Sequence, residues 1–81
     1  MMAGPERRLY RILEFPKHLQ TTTLTLLKLG RATASDVAGV TKRARAVESA
    51  YLNQLCTMKV ASKTRIYRRA YFQIDMEGLD W

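Results

Sequence analysis

Apolar residues recur at helical spacing through the first two thirds of this chain and then switch to alternation. In "ERRLYRILEF", residues 6–15, Leu9, Ile12 and Leu13 share one stripe while Arg7, Arg8 and Arg11 fall elsewhere, which predicts an amphipathic helix. Pro5 suits a first helical position and Pro16 ends the segment before it. A second helix is expected over residues 17–29, with Leu19, Leu26 and Leu27 turned inward and Gly30 as its stop. The run Thr21-Thr22-Thr23 works against it, because β-branched residues lose rotamer freedom in a helix.

In "TASDVAG", Thr33 and Asp36 stand three residues apart, the spacing of a capping box with Asp in the place of Glu. Val37, Ala38 and Val40 give the short helix behind it something to bury. A break near Thr41 and Lys42 is followed by a longer helix ending about Met58, expected to bury Val47, Tyr51, Leu52, Leu55 and Met58. The period then becomes two. "VASKT" and "AYFQI" read as strands, the second with Ala70, Phe72 and Ile74 on one face and Tyr71 and Gln73 on the other. "RIYRR" between them closes a hairpin, with Tyr67 expected to pack across it in preference to stacking on a sugar or base. The pattern therefore predicts an α+β fold with a three-helix core, an extra N-terminal helix and a C-terminal β-hairpin. Residues 1–4 read as an N-terminal tail, 5–74 as one domain and 75–81 as an acidic tail.

Charge sharpens the picture. The net charge is +7, and its distribution matters more than its total. Between Lys17 and Arg69 there are eleven Lys or Arg and only two acids, Asp36 and Glu48. A basic middle ahead of an acidic tail suits a polyanionic partner. "VTKRARAVESAYLNQL", residues 40–55, places Lys42, Arg43 and Arg45 at the start of a helix, where the macrodipole favours anions over cations. Cations at that end make sense if an anion is to be bound there.

Other chemistries find little support. No Ser/His/Asp set, glycine-rich phosphate loop or paired carboxylate can be assembled, so an enzyme is not expected. The single cysteine, Cys56, cannot form an internal disulfide, and no Cys/His cluster suits a metal. Cys56 reads as a small half-buried hydrophobe and His18 as a lone surface histidine. No cofactor or small-molecule ligand is expected. "LTLLKLG" is too short to span a bilayer, and "MMAGPERRLY" lacks the apolar segment of a signal peptide. A cytoplasmic, nucleoid-associated location is the expectation.

The order of a short helix, a tight turn, a longer helix and a basic hairpin, carried by "LLKLGRATASDVAGVTKRARAVESAYLNQLCTMKVASKTRIYRRAYFQI", resembles the winged helix-turn-helix domain of MarR-like and ArsR-like prokaryotic regulators, especially their archaeal relatives. That resemblance covers residues 17–74. It implies a double-stranded DNA-binding transcriptional regulator, a homodimer, with a recognition helix at about residues 43–58 in the major groove and a basic wing at 60–74 on the flanking backbone. Aligned on Ala38, the groove-facing residues are Arg45, Ala46, Ser49, Ala50 and Asn53, and the helical wheel agrees, since these lie opposite Tyr51, Leu52 and Leu55. Arg45 suits guanine and Asn53 adenine or phosphate. Lys42 and Arg43 in the turn, and Lys63, Arg65, Arg68 and Arg69 on the wing, suit phosphate. Leu9, Tyr10, Ile12 and Leu13 of the extra helix supply either a dimerisation surface or a cover for the core of their own chain.

The chain departs from the family at four places. Lys42 stands where the turn usually has Gly, so a longer turn or one beginning at Gly39 is expected. Lys59 replaces the Gly before the first wing strand, and the wing tip has no Gly. Glu48 occupies a commonly apolar position, where a buried carboxylate needs a partner such as an Arg or Tyr51. Arg45 has its own structural alternative, an i,i+3 pair with Glu48. At the level of the whole protein, two alternatives stand beside the regulator. One is a sequence-nonspecific architectural or chromatin protein, favoured by the alanine-rich groove face. The other is a protein-interaction module of the same fold. RNA binding ranks below these, because no aromatic platform for single strands is visible.

Overall fold

The computed structural model describes residues 11–76. They form an α+β domain of three helices, preceded by a helical turn at residues 11–13, and a three-stranded antiparallel sheet. Helix α1 spans Lys17–Leu29, strand β1 Arg31–Ala32, helix α2 Ala34–Thr41, helix α3 Arg45–Thr57, and strands β2 and β3 Ala61–Ile66 and Arg69–Ile74. β3 is central: β1 pairs with it on one side and β2 on the other.

Helix α1 keeps its threonine run because the hydroxyls turn back onto the helix. Thr21 and Thr23 donate to the carbonyl four residues earlier, Thr23 to Leu19 at 2.7 Å, while Thr22 Oγ1 lies 3.2 Å from His18 O and directs its proton to the nearer Glu48 Oε1 at 2.7 Å. This satisfies the hydroxyls of Thr22 and Thr23 where both are fully buried. Gly30 ends the helix at a φ of 84°, its N–H donating to Leu26 O, a conformation that a side chain would strain. The capping box at the start of α2 forms as expected. Asp36 N–H donates to Thr33 Oγ1 at 3.1 Å, and Thr33 N–H donates to Asp36 Oδ2 at 3.0 Å.

Helix α3 ends in a Schellman motif: Val60 N–H donates to Leu55 O and Lys59 N–H to Cys56 O. Lys59 takes the glycine position of that motif at a φ of 64°. Lys42, after α2, is also left-handed, at a φ of 66°. Gly39 lies inside α2, so the turn between the two helices begins at Lys42 and not at Gly39.

The core joins Leu19 and Leu26 of α1, Val37 of α2, Leu52 and Leu55 of α3, Val60, and Phe72 and Ile74 of β3, closed by Ile12 and Phe15. Two helical phases differ from the expected ones. Val40 is exposed at the end of α2, where no other described residue covers it. In α3 the inward position belongs to Glu48, fully buried, while Val47 is 38% exposed. Ile12 is buried in the core of its own chain, so it offers nothing to a dimer interface. Leu13, 64% exposed, remains on the surface, and Leu9 and Tyr10 lie outside the described residues, as does most of the acidic tail.

The hairpin is longer than its apolar alternation suggested. Arg65 and Arg69 belong to the strands, paired with Ala70 and Ile66, and only Tyr67 and Arg68 form the connection. Tyr67 does not pack across the hairpin; it is 97% exposed at the tip.

Candidate nucleic-acid interface

Residues directly opposite in an antiparallel pair share a face of the sheet. Lys63 opposite Phe72 and Arg65 opposite Ala70 therefore face the helices along with the core residues of β3. Toward the hairpin tip that face leaves the core and, with α3 and the start of α2, borders an open cleft of about 480 Å³. Arg45, Ser49 and Asn53 line it from the helix, and Lys63, Arg65, Arg68 and Arg69 from the hairpin. The fold thus gathers seven of the expected contact residues around one space. Five of them are cations, against one carboxylate in the lining, Asp36, which is held in its capping box.

The side chains of this cleft differ in their freedom. Arg45, Arg65, Arg68 and Arg69 are exposed and form no ion pair or hydrogen bond among the described residues. Lys63 is anchored: its ammonium donates to Asn53 Oδ1 at 3.0 Å and lies 5.6 Å from the centre of the Phe72 ring. The amide nitrogen of Asn53 also donates to Ser49 O at 2.9 Å. Asn53 thus links Lys63 to the backbone of α3, with one N–H and one lone pair of its amide left over. Ala46 and Lys42 are exposed at the head of α3. That helix begins at Ala44 without a side-chain cap. The N–H groups of Arg45 and Ala46 meet no acceptor among the described residues, which leaves the positive end of the helix open to an anion.

Arg43 departs from expectation. Its guanidinium turns inward, donating to His18 O at 3.2 Å, Thr22 Oγ1 at 3.2 Å and Glu48 Oε2 at 3.3 Å. It also lies 5.4 Å from the centre of the Tyr51 ring. Glu48 accepts as well from Thr22 at Oε1, 2.7 Å, and from Thr41 at Oε2. The buried carboxylate thus has Arg43 as its ionic partner, neither Arg45 nor Tyr51, and Arg43 is withdrawn from the set of phosphate contacts. This network ties α1, the turn and α3 together and fixes how α3 presents Arg45. Its sequence signal was the acid on an apolar stripe, four residues before Leu52 and seven before Leu55.

Cys56 is half-buried on α3. Burial pushes its thiol up from the ordinary value of 9.0, and the charge of Lys63 pulls partly in the other direction. Among the described residues no group of three His, Cys, Asp or Glu could hold a metal ion, and no helix is long and apolar enough to cross a membrane.

The fold and the cleft define a small basic α+β protein with a concentrated cationic surface. No protein-family model matches the chain. Over 59 residues it is 41% identical to an uncharacterized protein of Archaeoglobus fulgidus, a match covering 73% of this chain and 80% of that protein. The chain belongs to the same family as that archaeal protein.

Proposed function

We propose that this protein is a winged helix-turn-helix domain that binds double-stranded DNA as a transcriptional regulator. The observation that carries the reading is the convergence of Arg45 on α3 with Arg65, Arg68 and Arg69 on the hairpin, their side chains all without partners among the described residues, around one cleft. The element order supports it too: helix, short strand, two helices across a tight turn, then a hairpin whose second strand takes the short strand as its neighbour. In such a domain α3 enters the major groove while the hairpin follows the flanking backbone. Ala46 and Ala50 let the backbone approach the base edges, and Arg45 is the side chain placed to read one.

The test is fluorescence anisotropy of a labelled random duplex, titrated with the full chain at several salt concentrations. Binding should weaken steeply with salt, because each neutralised phosphate releases counterions. An Arg68→Glu/Arg69→Glu variant should lower the log–log salt slope by about two. Absence of binding at low salt would refute the reading.

The alanine-rich face of α3 favours one second reading, an architectural protein that binds DNA without regard to sequence. The ratio of affinities for selected and random DNA separates the two: a specific regulator reaches roughly a thousandfold or more.

A further inference from the structure

Tyr67 is placed at a cost that the fold does not offset. It is the first residue of a two-residue hairpin connection, with a φ of 57°, while Arg68 after it has no positive φ. That is the pattern of a type II′ turn, whose first position is normally Gly. A bulky L-residue there is strained. At 97% exposure the ring also gains almost nothing from packing. On the face of the hairpin turned away from the helices, Ile66, Tyr67, Arg68, Arg69 and Tyr71 border an open depression of about 620 Å³. Arg31 lies 5.8 Å from the centre of the Tyr71 ring on the same sheet face. The aromatic platform missing from the sequence pattern is thus present at the tip, as two tyrosines ringed by arginines.

Resting on the DNA-binding reading above, we propose that this depression is a nucleobase site, in which Tyr67 stacks on an unpaired base where duplex DNA meets a single strand. Aromatic rings with flanking cations are the chemistry that holds single-stranded bases without regard to sequence. Arg68 and Arg69 border both this depression and the helix-side cleft. A strand leaving a duplex seated in the cleft therefore keeps its phosphates on the same two cations as it rounds the tip. The hairpin then works as a divider, with paired DNA on its inner side and an unpaired base on its outer side.

The experiment compares three labelled DNAs in anisotropy titrations with the full chain: a blunt duplex, the same duplex with a short single-stranded overhang, and that duplex with an overhang of abasic nucleotides. The abasic overhang carries the same charge and offers no ring. The wild type should bind the base-bearing overhang about tenfold more tightly than the abasic one. Tyr67→Gly should abolish that difference and leave blunt-duplex affinity within about twofold, while Tyr67→Phe should keep it. Because Gly relieves the turn, Tyr67→Gly should melt no lower than the wild type, which separates loss of stacking from loss of fold. Equal wild-type affinity for the two overhangs, a preference that survives Tyr67→Gly, or an equal loss on blunt duplex would each overturn the nucleobase site while leaving duplex binding intact. Failure of the wild type to bind any of the three DNAs at low salt would remove both readings.

Discussion

Arg43 and Arg45 stand two residues apart at the head of α3, and the molecule uses them in opposite ways. Arg43 turns into the body, where its guanidinium meets Glu48, Thr22 and the His18 carbonyl, with its side chain 28% exposed and that of Glu48 fully buried. Arg45 turns out to the cleft and meets nothing among the described residues. Arg43 lies in the bend before the N-cap Ala44 and Arg45 is the first residue of the helix, so one basic run serves two sides of the fold. A cluster of cations in a sequence is therefore not one site. Which of its members remain available is decided by the acids and carbonyls that the tertiary structure brings up behind them.

The sharpest way to break this contrast is to remove each arginine. Arg43→Ala leaves a buried carboxylate with only two hydroxyl donors and should cost about 3 kcal/mol in urea unfolding. Arg45→Ala should stay within about 0.5 kcal/mol of the wild type. Equal losses would show that the two arginines do not differ as described. The second effect reverses the order: Arg45→Ala should reduce the salt slope of duplex binding by about one, and Arg43→Ala, assayed below its melting temperature, should leave the slope in place.

The left-handed lysines extend the contrast to glycine substitutions. Lys42→Gly and Lys59→Gly should each raise stability by about 0.5–1 kcal/mol, since Gly adopts these φ values without strain. Lys42→Gly should also lower the salt slope, and Lys59→Gly should not. Similar binding losses in both would place DNA across a wider surface than the cleft and the head of α3.

The smallest effect sits at the other end of α3. Because burial raises the Cys56 thiol above 9.0 in the folded chain, the unfolded chain ionises first as pH rises. Its contribution to stability is complete below pH 9 and is lost as pH climbs through the folded value. Unfolding measured from pH 8 to 10.5 should thus fall more steeply in the wild type than in Cys56→Ala. Parallel curves would show the thiol to be indifferent to folding.

Much of the fold was legible in the local pattern. The limits of α1, the Thr33–Asp36 capping box and the inward face of β3 all rest on neighbours within a turn or a strand. What escaped was set by distant partners. Glu48 is buried because Thr22, twenty-six residues earlier, and Arg43 receive it, so the hydrophobic phase of α3 pointed to Val47 in its place. The hairpin ran past its apolar alternation because β2 is solvated on both faces beyond Ala61. Its pairing is held by the ladder to β3, a feature that no alternation records. The basic cleft was legible as a list of cations, and its division into free, anchored and withdrawn members was not.

The position of β1 sets where the hairpin is tied down. β1 reaches β3 only at Gln73 and Phe72, and Asp75 N–H donates to Val60 O beside the start of β2. The base of the hairpin is thereby clamped to β1, some forty residues earlier in the chain, and to Val60, while from Thr64 to Tyr71 the backbone ladder of each strand runs only to the other. Amide-exchange protection should accordingly decline from base to tip, with the outer rungs opening without global unfolding. The domain thus carries its most basic rungs on the part of the sheet furthest from its root, and protection that stays level out to the tip would show that ribbon to be as firmly held as its base.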